Sequence, residues 1–279
     1  MSFSQKYFQE NEFAIKDKKL KYYLSPTLLE NNFKHGFFTK TSSEINLSLL
    51  SNRLKLNNKN CVLNQIHSNQ IVVGSKTIEK GRVEADGIVS DKQNQNLWIY
   101  TADCMPILFA DKKKRLVAAI HCGRKGLENK IIKKLIKIFY DKGCSKEDML
   151  VAIGPSISKK NYLIDNKTLQ NFHNNSASKE SISFSNSMEI SLKSKESVKL
   201  QKNDLIPLNI KKYAHIELLK ENISNKNIDI SNLCTYESNH NFHSWRKTKT
   251  SLRQWNFICL LYTSPSPRDL STSRMPSSA

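Results

Sequence analysis

A chain of 279 residues, 38% of them hydrophobic, is long enough to bury one sizeable core and contains no apolar run of membrane-span length. Its formal net charge of +19 rests on 44 Lys and Arg against 25 Asp and Glu, and only 8 of those cations are arginine. With no dense Lys/Arg block and no interleaved aromatics, the excess reads as a solvated lysine surface rather than a nucleic-acid face, and leaves a positive field suited to small anions.

The first twenty residues lack the apolar run of a secretory signal, so the expected location is cytoplasmic. Residues 1–30 read as a polar N-terminal edge segment with one strand-like run, "YYL". The stretch from His35, "HGFFT", predicts a strand followed by a loop, and "NRLKL" (52–56) a short helix. Two apolar runs, 62–66 and 71–73, separated by "HSNQ", predict a hairpin with His67 at its turn. "ADGIVSD" adds a short strand.

"LWIYTADC" (97–104), "PILFAD" (106–111) and "RLVAAIHC" (115–122) are nearly unbroken in apolarity, as strands covered on both faces are. Leu127, Ile131, Leu135, Ile138 and Phe139 follow helical spacing up to a stop at Gly143. "DMLVAIGPSIS" returns as a strand. Residues 158–203, rich in Ser, Asn and Lys, predict an inserted hairpin or irregular loop. "IPLNIKKYAHIELLKENI" predicts a helix, and "NFHSWRK" and "QWNFICLL" short strands. The last stretch, 262–279, turns to Ser and Pro and reads as disordered or foreign to a single domain spanning 31–261.

The six cysteines, Cys61, Cys104, Cys122, Cys144, Cys234 and Cys259, form no C-x-x-C pair, so most should be buried thiols. If the turn "DKKKR" is centred on Lys113, residue i faces residue 226 − i, and Cys104 lies opposite Cys122 with His121 one step away. Pro106 and Gly123 disturb regular pairing, so which face each group takes stays open. A Cys104–Cys122 disulfide is disfavoured in a reducing compartment. Gly123 and Gly126 stand between that strand and a helix start, where free backbone N–H groups together with Arg124 and Lys125 suit an anion, or form an ordinary turn. His67 is a third suspect: one Cys and two His are suitable zinc ligands, with a fourth position left for water or substrate.

Six motifs in order, "NQIHSNQIV", "EADGIVSD", "YTADCMPILFAD", "AAIHCGRKG", "AIGPSIS" and "CTYESNHNFHSWRK", resemble the YfiH-type, laccase-domain family, first called polyphenol oxidoreductases and now regarded as purine nucleoside phosphorylases. The resemblance runs from about His35 to Leu261. It implies an α/β (α+β) fold, a single-domain four-layer α/β/β/α sandwich of mixed sheets, with His67, Cys104 and His121 as ligands of Zn2+. It further implies phosphorolysis of adenosine, inosine or S-methyl-5′-thioadenosine, with accompanying adenosine deamination.

Arg246, Lys40 and Lys125 are then candidates for phosphate, Arg124 and Arg253 for substrate contact, and Asp103 and Asp86 for acid/base roles. Lys40 and Lys125 stand where the family carries Arg, and Trp245 where it carries Tyr, so the shell around substrate is altered. Three rivals remain: a Cu2+ redox centre using Met105, a cysteine hydrolase built on Cys104 and His121, and a basic binding protein without catalysis. The expected partners are purine nucleosides and phosphate, with no nucleic acid and no membrane. The sequence leaves monomer and homodimer open.

Overall fold

The computed structural model describes residues 7–15, 17–56, 59–176, 205–237 and 241–259. Two sheets form its centre. Sheet one contains β1 Gln9–Ile15, β2 Lys18–Leu24, β3 Lys34–Phe38, β4 Lys59–Asn64, β6 Val83–Glu84, β8 Gln95–Thr101 and β15 Gln254–Cys259, in the spatial order β1-β2-β3-β15-β8-β4-β6. Sheet two contains β5 Ile71–Val73, β7 Gly87–Val89, β9 Met105–Asp111, β10 Val117–Cys122, β11 Met149–Ile153 and β14 Ile228–Ile230, in the order β14-β11-β9-β10-β7-β5. A ribbon of β12 Leu163–Ile164 and β13 Ile206–Pro207 lies apart.

The period of two along each strand divides the core into three layers of side chains. Leu97 and Ile99 of β8 meet Leu108 and Ala110 of β9, Val117 and Ala119 of β10, and Leu150 and Ala152 of β11 between the sheets. Their neighbours point outward. Trp98 and Phe257 pack with Phe38 and with Leu50 of helix α2 (Leu47–Arg53) on the far side of sheet one. Met105, Ile107 and Phe109 pack on the far side of sheet two against Ile131, Leu135 and Phe139 of α5 (Ile131–Asp141) and Ala214 and Leu218 of α7 (Ile210–Lys220). The result is the expected four-layer α/β/β/α sandwich. Each fully buried Leu, Ile or Phe here contributes ~1.5–3 kcal/mol.

Five further α-helices lie among the described residues: α1 Pro26–Glu30, α3 Gly74–Lys80, α4 Arg124–Glu128, α6 Asn166–Ser176 and α8 Trp245–Thr248. Gly143 stops α5 as expected. It takes φ 78°, its N–H donates to Tyr140 O at 2.8 Å, and Cys144 N donates to Phe139 O at 3.0 Å, the paired bonds of a left-handed helix end.

Several local expectations are corrected. The runs at 62–66 and 71–73 are not a hairpin, because β4 pairs in parallel with β8 in sheet one while β5 pairs with β7 in sheet two. Residues 65–70 therefore cross between the sheets. The β9/β10 register sums to 227, not 226: Cys122 faces Met105 and Val117 faces Ala110. Asp111 Oδ1 accepts from Lys113 N (3.0 Å) and Lys114 N (2.6 Å), which sets a four-residue loop and leaves Cys104 one step before the ladder. All six cysteines are free thiols.

The predicted helix at "NRLKL" begins one turn earlier, where the Asn46 side chain accepts from Ser48 N, and it is over by Lys55 at φ 54°. The long helix from Leu127 is two helices, α4 and α5, split at Lys130 (φ 57°). "NFHSWRK" carries α8 rather than a strand, with the Ser244 side chain capping Lys247 N. Within 158–203 the described part includes α6 and a turn at Lys159–Asn161, and the remainder lies outside the described residues. The polar N-terminal segment supplies two strands, β1 and β2, where one was expected.

Residues 262–279 also lie outside the described residues. Their composition offers no apolar face, so deleting them is expected to leave the thermal midpoint within ~2 °C. A larger drop in a melting experiment would show that the tail packs on the domain.

Candidate metal centre and arginine-lined cavity

Two chain crossings build the site. β4 and β8 are parallel neighbours, so their C-terminal ends reach the same edge of sheet one. The chain leaves β4 through residues 65–70 and leaves β8 through residues 102–104, each time passing to sheet two. The Gln65 side chain ties the two exits together: its Nε2 donates to Tyr100 O (2.8 Å) and its Oε1 accepts from Tyr100 N (2.9 Å). His67 sits in the first crossing and Cys104 in the second. β10 runs antiparallel to β9, so its last residues, His121 and Cys122, return to the edge where β9 starts.

The donor atoms of His67, Cys104 and His121 thus lie within 4.8 Å of one another, with Cys104 Sγ 3.9 Å from His67 Nε2. Asp86, fully buried, fastens two of the three. Its carboxylate accepts from Ile66 N (3.3 Å), His67 N (3.0 Å), Ser68 N (2.5 Å), Ser68 Oγ (2.8 Å) and His121 Nδ1 (2.8 Å). That bond to Nδ1 leaves the opposite ring nitrogen of His121 for a ligand. His67 is held at φ 59° in the same loop.

Burial works against ionising Asp86, but the His121 and Ser68 hydrogen bonds prevail and bring its carboxyl down to about 2. Burial likewise opposes a charged Cys104, yet the His121 charge and the hydrogen bonds from His121 and His67 lower the thiol to about 6. His121 moves the other way: against burial, the Cys104 charge and the Asp86 bond raise it to about 9.

A thiolate and two imidazoles, one backed by a carboxylate, are a donor set that fits a metal ion with a fourth position open. Gly123 leaves room for the Cys104 sulfur, since a Cβ there would stand 2.4 Å from Sγ.

Replacing Asp86 with alanine is expected to cost roughly 3–5 kcal/mol, because buried donors and a charged imidazole lose their acceptor. Chemical denaturation at neutral pH checks it. The folded value of about 2 lies below the ordinary 3.8. The carboxylate's stabilisation is therefore complete above about pH 4 and lost as pH falls toward 2.

His67 and Cys104 open onto a cavity of about 340 Å³ that is also lined by Asp103, Arg124, Arg246 and Arg253. Tyr162 and Trp245 form aromatic walls, and Ile157 and Ile210 aliphatic ones. Asp103 accepts from Thr235 Oγ1 (2.6 Å) and from the backbone N–H of Arg246 (2.8 Å). Arg253 donates to the carbonyls of Thr250 and Leu252, both at 2.8 Å. Arg124 pairs with Glu128.

The structure therefore brings His67, Cys104, Asp103, Arg124, Arg246 and Arg253 to one cavity, with His121 beside Cys104. It places Asp86 behind the ligands with its carboxylate filled by donors. Lys40 and Lys125 are exposed and outside the lining. The helix after His121 has only five residues, so the cations on this wall come from side chains. Tyr162 and Thr235 escaped the sequence reading. The signal for Tyr162 was the apolar "YLI" inside an otherwise polar stretch. Thr235 stood within the "CTYES" motif with nothing local to mark it.

An arginine-lined cavity beside a donor set of two histidines and one thiol, at the seam of an α/β/β/α sandwich, defines a class of α/β proteins in which a metal ion fits next to a basic pocket. Residues 39–261 match the profile of the multi-copper polyphenol oxidoreductase laccase family, and the chain belongs to that family. It is 31% identical over 147 residues to a purine nucleoside phosphorylase of Rickettsia conorii, a match spanning 51% of this chain and 60% of that protein. It is 27% identical over 251 residues to one of Campylobacter jejuni, covering 85% and 95%. The crystal structure of the hypothetical protein YfiH from Bacillus licheniformis shares the fold, with a TM-score of 0.69 at 22% identity over 86% of this chain and 96% of that one. Among the described residues no helix is long and apolar enough to cross a membrane.

Proposed function

We propose that the chain is a cytoplasmic, zinc-dependent purine nucleoside phosphorylase acting on adenosine, inosine and S-methyl-5′-thioadenosine, with accompanying adenosine deamination. The observation that carries this reading is the convergence of three arginines and Asp103 on the cavity that contains His67 and Cys104. The names of the relatives support it.

In phosphorolysis a phosphate oxygen bonds to the anomeric carbon as the bond from that carbon to the purine nitrogen breaks, and the purine leaves with a proton. The guanidinium groups of Arg246, Arg124 and Arg253 suit the phosphate, and the Trp245 wall suits the flat base. Asp103 fixes the backbone of Arg246, and its carboxylate is placed to take the proton that the attacking phosphate loses and pass it to the departing purine nitrogen. Bound at His67, Cys104 and His121, zinc would supply a Lewis-acid centre.

Zinc is favoured over copper because Met105, the axial group a copper centre would want, is buried in the apolar layer with Ile107 and Ile120. A Cys104/His121 hydrolase is the second reading, favoured by the lowered thiol. Incubating purified protein with inosine or adenosine, with and without phosphate, separates them. Ribose 1-phosphate and free base formed only with phosphate are expected. Equal base release without phosphate overturns the reading in favour of hydrolysis, and copper-dependent phenol oxidation would favour the redox alternative.

A further inference from the structure

Tyr162 belongs to no helix or long strand, yet it packs on the cation wall of the cavity. Its ring lies under the Arg246 guanidinium, with Cζ 5.1 Å from the centroid, and Arg124 lines the same cavity. An arginine is long and rotamer-rich, and a loose one loses much of its grip on an anion to conformational entropy. A rigid phenol ring under Arg246 removes much of that freedom, because the ring face attracts the guanidinium.

The backbone around Tyr162 is fixed to match. Its N–H donates to Ser158 O (3.1 Å), and its carbonyl accepts from Leu208 N (2.9 Å) where the β12/β13 ribbon begins. The turn preceding it is pinned to Cys234, whose Sγ accepts from Ser158 N and Asn161 Nδ2, both at 3.3 Å. Cys234 adjoins Thr235, which holds Asp103, so one short segment aligns both a cation and the acid of the cavity.

We infer that Tyr162 is a positioning residue whose ring sets the Arg246 guanidinium to grip a phosphate-class anion. The inference deepens the function proposed above and rests on it. Neither the ring nor the hydroxyl needs to touch the reacting atoms.

The test uses the zinc-loaded full chain and two variants, Tyr162→Phe and Tyr162→Leu. Calorimetry with inorganic phosphate gives Kd, and turnover of inosine across a phosphate titration gives KM and kcat separately. Tyr162→Phe keeps the ring under Arg246, so phosphate Kd and KM should stay within about twofold of the parent. Tyr162→Leu removes the ring and should raise them about three- to tenfold. In both variants kcat at saturating phosphate should stay within about twofold, and zinc content should match the parent.

Unchanged phosphate Kd in Tyr162→Leu, or a loss of kcat without a change in KM, overturns the inference while leaving the proposed function standing. If Tyr162→Leu does not fold, Tyr162→Met takes its place, and an unchanged Kd there overturns it. A parent protein that binds no phosphate overturns the function and this inference together.

Discussion

The purified protein is expected to hold about one zinc ion per chain, and the Cys104→Ala variant roughly a tenth of that or less. The thiolate is the one anionic donor of the three, and its lowered titration near 6 means that it is already charged at neutral pH. Without it, two neutral imidazoles and water face the ion, and the affinity of such a set is far lower. The variant should fold. Cys104 is only partly buried and stands before the β9/β10 ladder. Elemental analysis after dialysis reads the result directly, and a melting curve shows that the domain is intact. Full zinc retention would overturn the assignment of His67, Cys104 and His121 as ligands. Phosphorolysis should fall with the zinc.

Arg246→Ala is expected to raise the phosphate KM and lower kcat/KM by roughly ten- to a thousandfold, the range for losing a charged hydrogen bond of about 1.5–3 kcal/mol or somewhat more. The substitution is clean for a structural reason. The backbone N–H of Arg246, not its side chain, holds Asp103, so alanine keeps that bond and removes only the guanidinium. Zinc content should not change, because Arg246 is not among the three donors. Steady-state kinetics across a phosphate titration decides it. A parental rate throughout would mean that Arg246 is only a wall over Tyr162 and that Arg124 and Arg253 hold the anion. The side chain of Arg253 is already engaged with two carbonyls and that of Arg124 with Glu128, so Arg246 should carry more of the load.

How much of this could be read from the chain varies with how local the physics is. The core strands are legible because each carries its own apolar run, and the stop of α5 is legible because Gly143 adopts a conformation that favours glycine. The β9/β10 register was missed by one residue. The Asp111 side chain chose the loop length, and a turn of lysines gives no hint of that. The hairpin expected around His67 failed for a larger reason. Two neighbouring apolar runs look the same whether they pair with each other or with strands of different sheets, and β4 and β5 do the latter. The role of Lys125 and Lys40 was read from motif position alone. Exposure, which depends on the packed surface, puts both outside the lining of the cavity.

By itself the sequence determined a mixed α/β sandwich, and it marked His67, Cys104 and His121 as a donor set through motifs that resemble one family. Only the tertiary structure decided how those three meet. The parallel pairing of β4 with β8 brings two sheet-to-sheet crossings side by side, and this contact joins residues more than thirty positions apart in the chain. The same is true of Asp86, a candidate acid in the sequence that becomes the buried acceptor holding both histidines in place. Tyr162 follows the rule as well, since only folding lays its ring under the guanidinium of the distant Arg246. Periodicity records which face of an element is buried. It does not record which distant element comes to lie against that face, and the site is made of such meetings.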